Sequence, residues 1–489
     1  MGCTAMTVVT ERTAGLSTRR GVYTLLLLCT VQFMDIIDSS IMNVALPSIR
    51  DDLGFTQQRL QWVLSGYLVT YGGFLLLGGR AADLLGRRRL LVIGTALFAA
   101  CSLAGGLATN AGLLVGARVA QGVGAALMAP AALSILTTTF PEGRDRTRAL
   151  GVWGAVSGVA AAAGVFLGGV LSEGPGWRWV LFVNLPVCAL IIAAAFGLLA
   201  GDHRRTRPAT FDLPGAVLIT AAMLVLVFAL VKAPDAGWGS RHTIGELGTA
   251  AVLFAAFVVV ERRARNPLFP FAILRIKGLA ATDATQLIAF AGFLSVFFFL
   301  TLYMQNVLGY TPIRSGSAYL PVTAGIILAA GLSAQLMPRI GTRPVIVAGA
   351  LIAAAGMYYL SRISVDGSYT RDLLPGLAVM SIGLGAVFVA VTTAANAGVP
   401  AHRAGLAAGL LNTSLQLGSA LGLAVFSAIA TARTNHLIAR HATAPAALTA
   451  GFGRAVLASS IALLAAALIA LRATNTRGHT PATNPATAS

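Results

Sequence analysis

The chain carries fourteen long apolar segments, at residues 22–44, 60–79, 90–108, 113–136, 149–171, 180–200, 213–231, 244–260, 280–304, 316–337, 344–361, 373–391, 404–427 and 454–471. A helix needs about 20 apolar residues to cross a hydrocarbon core of about 30 Å. In lipid the backbone must satisfy its own hydrogen bonds, which leaves helices or closed barrels. The alternation of about 10 residues that marks a membrane barrel strand does not occur. Composition agrees: 56% of the 489 residues are hydrophobic, 11% are charged, and mean hydropathy is +0.79. Soluble domains average about 25% charged. The expected fold class is therefore an all-α integral membrane protein with the lipid bilayer as its main partner.

The formal net charge of +18 could point to nucleic acid, but the distribution argues for membrane topology. Almost every basic residue is Arg, Lys232 and Lys277 being the only lysines, and most lie in short connections between spans. An even span number puts both termini on one side. With that side cytoplasmic, inside segments hold 23 Lys and Arg and outside segments 11, as the positive-inside rule requires. One outer loop resists this reading, because Arg433, Arg440 and Arg454 fall in it. The expected location is the cell membrane, with cytoplasmic N- and C-termini and no nucleic-acid partner.

Of the four cysteines, Cys29, Cys101 and Cys188 lie inside apolar segments and Cys3 in the tail, so no disulfide framework is implied. The start MGCTAM lacks the hydroxyl residue that an N-myristoylation signal carries at position 6. The first apolar run is too long for a signal peptide and is followed by no small-residue cleavage site, so it reads as a retained span. No histidine falls in a span, which argues against a buried His metal site. Neither a metal nor an organic cofactor is expected.

The segment LLGRRRLLVIG (84–94) is echoed by RIGTRPVIVAG (339–349), with Gly86, Arg88 and Gly94 recurring as Gly341, Arg343 and Gly349 at an offset of 255 residues. Two six-span halves in parallel repeat would produce this echo. The expected organisation is a tail over 1–21, a six-helix bundle over 22–200, two additional spans with linkers over 201–278, a second bundle over 279–472, and a disordered Thr-, Ala- and Pro-rich tail over 473–489.

The charges within spans are few. Asp35 and Asp38 lie deep in the first span, Arg118 lies in the fourth, and Asp283 is near the start of the ninth. A charge at mid-membrane costs about 2.5–3.5 kcal/mol on insertion scales, so such groups default to functional hypotheses. Asp35 and Asp38 are three residues apart and share a helix face, which should line an interior cavity. Burial and a neighbouring like charge both favour protonating at least one, and a carboxylate that loads and loses a proton is what proton coupling needs. Counting residues from the span ends places Asp38 and Arg118 at similar depth. Arg keeps its charge and needs an anionic partner, so the two could pair and separate as the protein changes shape. The plainer alternatives are a permanently neutral, hydrogen-bonded acid and a static ion pair that orients helices.

At this point a resemblance becomes specific. The segment DSSIMNVALP resembles the first-span signature of the fourteen-span drug:proton antiporters of the major facilitator superfamily. GGRAADLLGRRRLLVIG resembles that superfamily's loop motif between spans two and three, and RVAQGVGAA its span-four motif. GWRWVLFVNLP and NAGVPAHRAGLAAGLLNTSLQLGSALG resemble further segments, so the likeness runs from about residue 22 to 472. It implies the superfamily fold, two six-helix bundles plus two central helices, and proton-coupled export of amphipathic drugs or antibiotics by alternating access.

Asp38 matches the family's membrane-embedded acid, and Asp35 is an addition to the pattern. Proton coupling is accordingly expected at Asp38, Asp35 and Arg118. Gly79, Asp83, Gly86, Arg87 and Arg88 match the gating loop motif, with Leu84 where the pattern has Arg. Gln121, Gly122 and Gly124 match the span-four motif beside Arg118. Span five has Gly164-Val165 where exporters usually carry Gly-Pro, yet Gly158, Gly164, Gly168 and Gly169 still permit close packing.

A substrate pocket is expected between the halves near mid-membrane. Its candidate lining residues are Trp62, Tyr67, Gln286, Phe290, Phe293, Tyr303, Asn396, Asn412 and Gln416, with Gln305 beside them. The expected substrate is small and amphipathic, and a cationic one would suit Asp35; protons are the co-substrate, their gradient is the energy source, and a monomer is expected. The alternative is proton-coupled uptake of a nutrient or siderophore on the same fold, because fold does not fix direction. An enzyme is not expected, since acids, His and Cys do not cluster at a membrane surface. Nor is a sensor, since the chain has no soluble output domain.

Overall fold

The computed structural model describes residues 16, 18–140, 144–199, 201, 213–264, 267, 276, 278–397 and 404–476. Among these, fourteen helices correspond to the fourteen apolar segments, thirteen of them at least 19 residues long and one, Asn184–Leu198, reaching 20 residues together with the turn at Trp179–Phe182. They are α1 (Arg19–Leu53), α2 (Trp62–Leu85), α3 (Arg87–Gly106), α4 (Ala111–Thr139), α5 (Arg144–Glu173), α6 (Asn184–Leu198), α7 (Leu213–Ala236), α8 (Arg241–Arg263), α9 (Leu279–Asn306), α10 (Leu320–Ile340), α11 (Thr342–Leu360), α12 (Leu374–Asn396), α13 (Ala404–Ile438) and α14 (Ala444–Ala470). Single helical turns at Gln57–Leu60, Trp179–Phe182 and Pro312–Ser317 lead into α2, α6 and α10. The all-helical membrane architecture expected from the apolar segments is the one observed.

Local chemistry sets the helix starts. The side chains of Thr18, Asn110, Ser240, Thr311 and Ser368 each accept a hydrogen bond from the backbone N–H three residues on. Each thereby satisfies a donor that the first turn would leave unpaired.

The helix pairings of the first six spans recur eight helices later. α1 packs on α5 and α9 on α13; α2 on α4 and α10 on α12; α3 on α6 and α11 on α14. The repeat extends to single residues. Gly86 joins α2 to α3 at φ +105°, and Gly341 joins α10 to α11 at φ +90°. Both conformations are open to glycine and strained for other residues. Arg88 donates to the carbonyls of Phe196 and Leu199 at the C-terminal end of α6, and Arg343 donates to Ala473 just past α14. In each case a guanidinium meets the negative end of a helix dipole.

The hairpin α7–α8 stands between the halves, with α7 against both α2 and α13. At the end of the bundle opposite the termini the halves also touch directly. Gln305 Nε2 of α9 donates to the Val44 carbonyl of α1 at 3.1 Å, and the Ile313 amide donates to Glu173 of α5 at 3.2 Å.

Helix boundaries differ from the sequence reading at the end of α1, which runs to Leu53 and not 44, and between spans thirteen and fourteen. The long loop expected between spans thirteen and fourteen is a short turn over 439–443, because α13 continues to Ile438 and α14 begins at Ala444. Arg433 and Arg454 are therefore helical. Hydropathy ends an apolar run at its first polar residues, whereas Ala, Leu and Arg keep favouring helix beyond it.

Candidate functional site

The site is built on α1, whose two aspartates face different neighbours. Asp38 is fully buried. Its Oδ2 receives Arg118 Nη1 of α4 at 2.6 Å, with neither side chain reached by solvent. Its Oδ1 accepts from Gln121 Nε2 at 3.0 Å and from Asn184 Nδ2 at 2.7 Å. Both amides also donate to the Ser102 hydroxyl, at 2.8 and 3.0 Å. The acid is thus enclosed by donors from α4 and α6, whose two amides are tied together through Ser102 of α3.

Arg118 is held as tightly. Its Nε donates to the Val63 carbonyl at 3.1 Å and its Nη1 to Gln121 Oε1 at 2.7 Å. Its guanidinium carbon lies 4.4 Å from the centre of the Tyr67 ring, within cation–π range. Nη2 makes no hydrogen bond within the protein. A buried ion pair gains from good geometry and loses to desolvation, so its net contribution is small while the cost of breaking it is large.

Asp35 is nearly buried and is gripped by tyrosines of α2. Tyr67 donates its hydroxyl to Oδ1 at 2.8 Å and Tyr71 to Oδ2 at 2.7 Å. Tyr67 therefore touches both halves of the constellation, its hydroxyl on Asp35 and its ring under Arg118. Tyr71 reaches across the halves, within hydrogen-bond range of Gln416 on α13.

Glycines let the helices approach closely enough for these contacts. A Cβ at Gly122 would collide with the Tyr67 carbonyl and the Thr70 hydroxyl, fixing α4 against α2. A Cβ at Gly124 would lie 2.8 Å from the Phe98 amide, fixing α4 against α3. Gly164 and Gly168 press α5 onto α1, meeting the carbonyls of Ile37 and Ile41 at 3.0 and 2.7 Å.

The other residues singled out in the sequence are scattered. Gly86 makes the α2–α3 junction, Arg88 caps α6, and Arg87 is partly exposed beside it. A Cβ at Gly79 would make only an ordinary 3.6 Å contact with Pro130, whereas one at neighbouring Gly78 would collide with the Ala126 carbonyl. The side chains of Asp83, Asn396 and Gly158's surroundings lie outside the described residues. Phe290 and Phe293 of α9 form an aromatic cluster with Phe388 of α12, at 4.4 and 5.3 Å between ring centres. Gln286 is buried with its Oε1 unbonded. Trp62 sits at the start of α2, 6.3 Å from the Phe228 ring of α7. Tyr303 is fully buried and donates to the Ser364 carbonyl at the end opposite the termini. Asn412 is exposed, and Gln416 is half-buried. Asp283 is buried with neither carboxylate oxygen hydrogen-bonded.

Three parts of the site escaped the sequence reading. Asn184 stands in a quoted motif, VNLP, and was a detectable in-span amide. Ser102 and Tyr71 carried no signal that separates them from packing residues.

The Major Facilitator Superfamily profile matches residues 28–423. The chain is 40% identical over 449 residues to the cephamycin export protein CmcT of Amycolatopsis lactamdurans, covering 91% of each. It is 39% identical over 430 residues to the puromycin resistance protein pur8 of Streptomyces alboniger, covering 87% of this chain and 85% of that protein. It is 38% identical over 412 residues to the lincomycin resistance protein of Streptomyces lincolnensis. Among solved structures, a bacterial homologue of the lysosomal transporter Spinster, crystallised inward-facing and unoccupied, superposes with a TM-score of 0.64 at 19% identity, covering 93% of this chain and 97% of that one. Fold, profile and relatives agree: the chain belongs to the Major Facilitator Superfamily of membrane transporters.

Proposed function

We propose that the chain exports an amphipathic antibiotic-like molecule across the cell membrane in exchange for protons, with both termini in the cytoplasm. The observation that carries this reading is the buried Asp38 carboxylate, held by Arg118, Gln121 and Asn184. A proton on Asp38 would remove the charge that Arg118 answers and loosen the grip of α4 on α1. An ionised Asp38 would restore it. The two protonation states then favour different arrangements of the halves, and a difference in affinity between states is what drives alternating access.

Export of an antibiotic is supported by the relatives, which include a cephamycin export protein and a puromycin resistance protein. The cytoplasmic side is supported by the excess of Arg at the end bearing the termini. The contacts of Gln305 with Val44 and of Glu173 with Ile313 fit a state closed at the opposite, external end. A proton moving inward gains about 2.3 kcal/mol per 100 mV of membrane potential.

The test is uptake of ethidium or puromycin into inside-out vesicles under an imposed proton gradient. Gradient-driven uptake that is lost in Asp38→Asn and collapses with a protonophore is expected. Uptake that persists without a gradient, or unchanged in Asp38→Asn, would refute proton-coupled export through Asp38.

A further inference from the structure

Two of the three arginines that violate the charge asymmetry of the loops, Arg433 and Arg454, meet in one place. Arg433 lies five residues before the end of α13 and Arg454 ten residues into α14. These offsets correspond to about 7.5 and 15 Å from the same end of the bundle at ~1.5 Å per residue. Both line a cavity of about 560 Å³, together with His436 and with Trp238 from the turn between α7 and α8. Ala428 and Ile429 supply an apolar wall. No ion pair or side-chain hydrogen bond joins Arg433, His436 or Arg454 to another described residue, and no acidic side chain lines the cavity.

Arg454 is exposed and Arg433 is half-buried, and a permanent cation close to hydrocarbon without an internal anion is costly. Each would be satisfied by an anion supplied from outside. The cavity is open to the perimeter of the bundle, where Trp238 is half-exposed at the level that amphipathic aromatics take at the headgroups. A cationic rim above an apolar wall is complementary to a phosphodiester with acyl chains below it, and guanidinium groups match phosphate oxygens bidentately. Alternative assignments fit less well: topogenic charges belong on the other side, and an internal structural pair needs an acid.

We propose that the groove between the α7–α8 turn and the ends of α13 and α14 binds an anionic phospholipid, its phosphate held by Arg433 and Arg454. The lipid would pin the central hairpin to the second half. This site is separate from the Asp38 constellation and does not depend on the transport reading.

The purified full-length chain is delipidated in detergent and given dioleoylphosphatidylglycerol, dioleoylphosphatidylcholine or inorganic phosphate. Bound lipid is counted by native mass spectrometry and the thermal unfolding midpoint is followed in parallel. The wild type is expected to retain phosphatidylglycerol and to unfold at higher temperature with it than with phosphatidylcholine, while inorganic phosphate changes little. Replacing both arginines, Arg433→Gln with Arg454→Gln, is expected to weaken phosphatidylglycerol binding by about 30-fold, from roughly 1 kcal/mol per basic residue at an anionic lipid surface. The Arg433→Lys and Arg454→Lys pair, which keeps the charge, is expected to retain most of it. If the double Gln variant fails to fold, the single Arg454→Gln is read instead. Equal binding of the two lipids, equal binding by wild type and Gln variants, or an equal response to inorganic phosphate overturns the proposal.

Discussion

Arg118 and Asp38 meet at 2.6 Å in a place where neither side chain touches solvent. The pair is not isolated, since Gln121 bonds to both members and Tyr67 lies beneath the guanidinium. That enclosure makes each member depend on the other.

Removing both charges should therefore cost less than the two single removals added together. Arg118→Met alone or Asp38→Leu alone is expected to destabilise by about 3–5 kcal/mol, while the double variant loses markedly less than the sum. Thermal unfolding in detergent, read as a double-mutant cycle, checks this. Additive losses would mean that the two side chains are not coupled.

Asn184 is expected to matter as much as the motif residues around it. Asn184→Ala deletes a hydrogen bond to a carboxylate and leaves the Ser102 hydroxyl short of a donor. The expected loss is about 1.5–3 kcal/mol, accompanied by slower gradient-driven transport. Asn184→Ala with wild-type stability and transport would make the contact incidental.

Asp283 should behave in the opposite sense. Both of its oxygens are buried without a hydrogen-bond partner among the described residues, and an unsatisfied buried polar group costs about 1–3 kcal/mol. Asp283→Leu is expected to raise stability by an amount of that order in the same unfolding assay. A loss of stability would show that the carboxyl is satisfied in the membrane by water or lipid.

Asp52, at the exposed end of α1, provides a pH-dependent clamp. Hydrogen bonds from Trp177 Nε1 at 3.0 Å and from Arg178 at 2.7 Å hold its carboxyl below the ordinary carboxylate range. A depressed value in the folded state means stability that is present above about pH 4, the ordinary Asp range, and lost as pH falls through the lowered value. The group is largely exposed, so solvent screening limits the contribution to about 0–1 kcal/mol. Asp52→Asn is expected to lower the unfolding midpoint slightly at pH 7, and the difference from wild type is expected to shrink as pH falls. A difference between the two that is as large at pH 3 as at pH 7 would exclude the clamp.

Much of this architecture is legible in the residues, because in lipid a span must be a helix and must be apolar. Hydropathy locates the fourteen helices but stops short at the end of α1, which runs nine residues past the expected limit to Leu53. It fails at α13 and α14, where Arg433 and Arg454 interrupt the apolar run without interrupting the helix. The meeting of Asp38 with Arg118 is readable from depth alone, since each lone charge needs a partner at its own level. The separation of Asp35 from Asp38 is not readable. Their spacing puts them on one face, but which helix each faces depends on how α2, α4 and α6 close around α1. The close approaches at Gly122 and Gly164 set that closure, and a glycine in a sequence does not say what it lies against.

The central claim is that a proton on Asp38 and a bound substrate favour different arrangements of the halves, so that binding of one releases the other. It is tested most directly by adding puromycin or ethidium to the purified protein in weakly buffered detergent and following released protons with a pH indicator. Wild type should release about one proton per bound ligand in a pH range set by the acid, as linkage between ligand and proton demands, and Asp38→Asn should bind ligand while releasing none. Equal proton release from Asp38→Asn and wild type, or ligand binding with no proton release from wild type, would contradict the account.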